Sequence, residues 1–122
     1  MSRTGVGLGL LLGWLSHSAT AAPRRIAIRH GHGTAWVHGY LHGFHSRAEW
    51  VFHGRKGQHV LVQTTQGGAT VVMVRFPNGE SSGAPGGTEE VLPQTGDCHI
   101  TVTEHHMAEP WHGRFTLKVT LR

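Results

Sequence analysis

Beyond residue 22, apolar and polar side chains alternate with a period of two, and no stretch keeps the spacing of an amphipathic helix. Ile26 and Ile28 alternate with Arg25, Ala27 and Arg29, and Ala35, Val37, Gly39 and Leu41 alternate with Thr34, Trp36, His38 and Tyr40. Trp50 and Phe52 share a face, the Gly54–Gly57 segment turns, and Val60 and Val62 open the next strand. Val71 to Phe76 is apolar on both faces, which predicts a central strand. Pro77-Asn78-Gly79 forces a turn, because proline presets φ and glycine accepts positive φ. Ser81 to Gly87 reads as a glycine-rich loop, and Glu90 to Leu92 as at most a short strand. Cys98, Ile100 and Val102 then face one way, and Phe115, Leu117, Val119 and Leu121 form the clearest alternation in the chain. About seven or eight short strands joined by Gly, Pro and Asn turns predict an all-β fold, an antiparallel β-sandwich.

The first 21 residues follow a different rule. Arg3 gives a positive start, Val6 to Leu15 is an apolar run too short to span a bilayer, and Ala19-Thr20-Ala21 is a small-residue cleavage site. The expectation is a signal peptide over 1–21 and a single sandwich domain over 22–122, periplasmic or secreted. Losing Arg3 with the leader leaves ten basic residues against seven acidic ones, a net charge of +3 with neutral histidines. Export and so mild an excess argue against a nucleic-acid partner. Cys98 stands alone, so no intramolecular disulfide is available, and its place in an alternating run predicts a buried, inert thiol.

Several segments carry a resemblance. The run from Ala35 through Gly39 and Gly43 to Phe44, followed by Glu49-Trp50-Val51-Phe52 and Lys56-Gly57-Gln58, resembles the small exported inhibitors of goose-type lysozyme. The related bacterial pre-peptidase C-terminal domains share that outline. Phe76-Pro77-Asn78-Gly79, Leu92 to Gly96 and Phe115 to Val119 keep the same order, so the likeness spans nearly all of the chain after the leader. It implies a β-sandwich that binds an exported protein, a goose-type lysozyme, and blocks its glycan cleft with end loops. Two positions depart from the family's pattern. Cys98 replaces a tyrosine, and the last hairpin loop, arginine-rich in the inhibitors, here reads from Glu104 to Gly113 without an arginine.

That loop is nevertheless a candidate partner surface, because it places Met107 and Trp111 between clean strands, with His105, His106, Glu109 and His112 around them. A second candidate is Phe44, His45 and Arg47, which supplies a basic group if both loops share one end of the sandwich. The histidines suggest a metal, and His38 and His42 share a strand face, but no spacing matches a zinc signature. No metal site, no other cofactor and no catalytic activity are expected. Two other readings compete with inhibition. One is a non-inhibitory accessory module binding envelope glycan or protein; the other is a histidine-rich periplasmic metal-binding protein.

Overall fold

The structure is a computed structural model and describes residues 23–43, 46–65, 70–104 and 113–122. The expected signal peptide lies outside them. The strands are β1 (Arg24–Arg25), β2 (Gly33–Leu41), β3 (Arg47–Gly54), β4 (His59–Thr65), β5 (Thr70–Arg75), β6 (Ser81–Pro85), β7 (Gly87–Val91), β8 (Gly96–Glu104) and β9 (Gly113–Leu121). They form two sheets, one in the order β1-β3-β8-β5-β6 and the other in the order β2-β9-β4-β7. All pairings are antiparallel except that of β1 with β3. The all-β sandwich read from the alternation is the observed architecture.

Alternation decides which residues enter the core, since a one-residue slip in any strand would turn its apolar set to solvent. From the five-stranded sheet come Trp50, Phe52, Val72, Val74, Cys98, Ile100 and Val102; from the other come Leu41, Val60, Val62, Phe115, Leu117, Val119 and Leu121. Each large side chain buried in this way contributes about 1.5–3 kcal/mol. Trp50 and Phe115 meet edge to face between the layers, with ring centroids 5.9 Å apart and planes at 86°. Gly39 lies opposite Phe115 in the β2–β9 register. A Cβ there would collide with the Phe115 ring and come within 2.7 Å of Trp50. The missing side chain is what lets the two rings interlock.

Three segments differ from the pattern reading. Ser81–Pro85 is a strand, not a loop, paired with β5 from Arg75↔Ser81 to Val71↔Pro85. It lacks large apolar residues because it lies at a sheet edge and pairs through its backbone; a Cβ on Gly83 would come within 3.0 Å of the Val72 carbonyl. Proline is tolerated at such an edge. β5 is internal to its sheet but buries only one face, and Met73 points out, 48% exposed. The Ile26–Ile28 alternation does not extend as a strand. Ile26 N–H bonds the Val51 carbonyl at 2.8 Å, and the chain then turns through a 3₁₀ segment at Arg29–Gly31. His30 adopts φ +56° there, and Gln58 Nε2 holds the turn by donating to the Gly31 carbonyl at 2.8 Å.

At the far end from β2's last residue, the Lys56-Gly57 turn is closed by several bonds. Arg55 N–H donates to Gln58 Oε1 at 2.7 Å, and Gly57 N–H to the Leu92 carbonyl at 2.9 Å. Lys56 N–H donates to Thr95 Oγ1 at 2.9 Å, so the Leu92–Gly96 segment serves as a brace. Because Gly39 leaves no room for a methyl group, Gly39→Ala is expected to destabilise the fold by about 1–3 kcal/mol. Urea unfolding measures this, and an unchanged midpoint would show that the rings shift freely.

Candidate functional site

The register gathers the strand ends that flank the predicted binding loops. Leu41 pairs with Gly113, Arg47 with Thr103, Thr70 with Glu104 and Thr65 with Thr116. The β6–β7 turn joins the same end, since Thr64 N–H donates to the Gly86 carbonyl and Gly86 N–H to the Thr70 carbonyl, both at 2.9 Å. The chain therefore enters and leaves both candidate loops at one end of the sandwich. Phe44, His45, His105, His106, Met107, Glu109, Trp111 and His112 themselves lie outside the described residues. Arg47 is described: it opens β3, its side chain 65% exposed, with Nε 3.5 Å from Glu49 Oε2.

A cleft of about 690 Å³ opens beside these strand ends, lined by Arg24, His38, Gly39, Tyr40, Arg114, Phe115 and Thr116. Phe115 lines it from below and meets Trp50 edge to face, and the Arg24 guanidinium lies 5.8 Å from the centroid of the Trp50 ring. Arg24 comes from the edge strand of one sheet, and Tyr40 and Arg114 are register partners in the other. His38 Nδ1 lies 3.2 Å from Thr116 Oγ1. The Tyr40 and His42 rings lie tilted at 50° with centroids 4.6 Å apart, extending the polar aromatic wall towards the first loop. Two exposed guanidiniums, an imidazole and a phenol around an aromatic floor suit a carboxylate-bearing or hydroxyl-rich group.

Under the same end lies an unusual buried acid. Glu104 closes the inward-facing series of β8, is 1% exposed, and neither carboxylate oxygen has a hydrogen-bond partner among the described residues. Its cross-strand neighbour Thr70 is also buried, but the Thr70 hydroxyl is engaged with Thr64 Oγ1 at 2.7 Å. A buried polar group left in this state weakens the fold.

No protein-family model and no curated protein matches this sequence. Solved structures do match. Aeromonas hydrophila PliG, a periplasmic lysozyme inhibitor of g-type lysozyme, superposes with a TM-score of 0.68 at 14% identity, over 82% of this chain and 96% of that one. Salmonella Typhimurium PliG gives 0.66 at 18% identity, over 84% of this chain and all of the other. A mutant of the Escherichia coli PliG gives 0.62 at 19%, over 83% of this chain and 100% of that one. The chain has the PliG fold. The resemblance read from the strand and turn motifs therefore holds for the architecture.

Within the PliG fold, the geometry adds residues that the sequence reading did not single out. Tyr40 entered that reading only as an alternating strand position, and Arg24 and Arg114 were not named in it as candidates. The one available signal was that Arg114 directly follows the loop ending at Gly113. Among the described residues, no group of three or more His, Cys, Asp or Glu side chains comes together to hold a metal. His38 bonds Thr116 and the His42 ring lies tilted against Tyr40, so the two histidines that share a strand face have other neighbours. Asp97 is taken up in a forked pair with Arg25, at 2.7 and 3.1 Å, which holds its carboxyl below the usual carboxylate range.

Cys98 is sealed between the sheets, and burial, with Asp97 adding, pushes its thiol up to about 11. It is expected to ignore a soluble disulfide reagent at neutral pH and to react fully in denaturant; rapid labelling of the native protein would contradict its burial. Glu104→Met keeps the side chain's length and removes the two oxygens that have no hydrogen-bond partner among the described residues. It is expected to raise stability by about 1–3 kcal/mol in urea unfolding, and a lower midpoint would mean that the carboxylate is compensated.

Proposed function

We propose that this chain is an exported inhibitor of goose-type lysozyme that works by steric occlusion and performs no chemistry. The observation that supports this most is the PliG fold, matched over nearly the whole length of three periplasmic inhibitors. In this reading the sandwich is a rigid holder. Its loop-bearing end, from Phe44 to Arg47 and from His105 to His112, enters the glycan cleft, and Trp111 fills a sugar subsite.

The cleft beside the loops supplies the cations that the loop sequence lacks. Glycoside hydrolysis depends on carboxylates flanking the scissile bond. Arg114 and Arg24 stand on strands whose positions are fixed by the core, so only their side chains, and no backbone, must be ordered when the guanidiniums meet an acidic partner. Long-range attraction contributes little, because the net charge is small and many lysozymes are themselves basic. Local complementarity over an interface of about 1,200–2,000 Å² carries the affinity instead.

A lytic assay tests the proposal. Purified protein is expected to protect a cell-wall suspension from goose-type lysozyme in a dose-dependent way. Arg24→Ala and Arg114→Ala are each expected to weaken inhibition by about tenfold or more, with melting temperatures close to wild type because both side chains are exposed. Full lysis at a large molar excess of the wild-type protein rejects inhibition. Normal inhibition by both variants moves the contact elsewhere.

A further inference from the structure

The outer face of the four-stranded sheet carries an aromatic and cationic surface, of which the inhibitor reading uses only the end at His38, Tyr40 and Arg114 and leaves Trp36 and Lys118 unused. Trp36 is 56% exposed and Tyr40 44% exposed, unusual for the two largest outward side chains of a strand. They occupy one face of β2 with His38 between them, and four residues of extended strand set them about 13 Å apart. Register places Lys118 beside Trp36 and Gln63 beyond it, with Thr34, Thr120 and Leu61 forming the next row. The Lys118 ammonium lies over the Trp36 ring, 5.1 Å from its centroid, which steadies the indole while more than half of the residue stays exposed. Hydroxyl and imidazole groups line the rest: Thr34 Oγ1 lies 3.1 Å from Thr120 Oγ1, and His38 bonds Thr116.

Across β2, β9 and β4 the charge on this face has one sign. None of the three adjacent strands β2, β9 and β4 contains an aspartate or glutamate, while β9 contributes Arg114 and Lys118. Glu89, on β7, is the first carboxylate met in the rows, opposite Leu61. We infer that this face binds an amino-sugar glycan bearing carboxylates, of the kind found in bacterial cell walls, with Trp36 as the stacking platform and Lys118 as the charge partner. The flat, hydrogen-rich face of a pyranose ring suits an exposed indole held on a rigid strand. The Thr, His and Gln groups offer both donors and acceptors to hydroxyl and acetamido substituents. The distance between Trp36 and Tyr40 exceeds one sugar ring, so the ligand is an oligosaccharide and not a monosaccharide. A lipid surface would call for contiguous apolar side chains, whereas here every aromatic is separated from the next by a polar one.

The test is co-sedimentation of the full-length mature protein with purified insoluble cell-wall glycan. Wild type is expected to pellet, and to remain bound at about 1 M salt, where the screening length falls to about 3 Å. Trp36→Ala is expected to lose about tenfold in affinity, and Trp36→Tyr to keep most of it. Lys118→Gln is expected to show a smaller loss that disappears at high salt. The inference falls if Trp36→Ala pellets like wild type, or if wild type stays in solution. It falls equally if polyglutamate or a DNA oligonucleotide displaces the protein at low concentration, since the contact would then be charge alone. Trp36 lies outside the inhibitory cleft, so Trp36→Ala should protect against lysozyme as wild type does. A failure of glycan binding is thus separable from a failure of the inhibitor reading.

Discussion

The interlock of Trp50 and Phe115 over Gly39 is the contact on which the rest depends. It joins β3 of one sheet to β9 of the other and passes beside β2, so three strands from both layers meet at one point. Without disulfides, a chain of this size relies on such packing to fix how the sheets lie on each other. Phe115 also lines the cleft formed with Arg24, Tyr40 and Arg114, and Arg24 lies over the Trp50 ring. Core and candidate site are therefore one construction: whatever fixes the angle between the sheets also fixes the spacing of the strands that carry Arg24 and Arg114.

The strands with strict alternation were legible because burying one face of a sheet demands it. Phe115 to Leu121 and Cys98 to Val102 reached the core exactly on phase because each contributes an uninterrupted apolar row. β6 was not legible, since Ser81, Ser82, Gly83, Ala84 and Pro85 hold their place by backbone pairing and by proximity of Gly83 to β5. Periodicity carries no record of that kind of contact. The Ile26–Ile28 segment failed for the opposite reason. Its apolar residues do pack on the core, but a left-handed residue at His30 turns the chain before a strand can extend.

For the site, the sequence revealed which loops deserved suspicion but not what stands beside them. Phe44–Arg47 and His105–His112 could be picked out as large or basic residues between clean strands. Arg24, some 90 residues from Arg114, could not, because their meeting is a product of sheet order. Trp36 and Tyr40 illustrate a further limit. Alternation assigns them to the outward face, yet only the neighbouring strands show that this face also lacks any carboxylate from β2 to β4.

The sealed sulfur of Cys98 has a bearing on how such a chain matures. Once both layers close, no oxidant reaches it, and the finished molecule needs neither an oxidoreductase nor an isomerase to be correct. The vulnerable interval comes earlier, while the polypeptide is still open and two nascent copies can cross-link through their only thiol. Prompt docking of one layer on the other is then a chemical safeguard as well as a gain in stability.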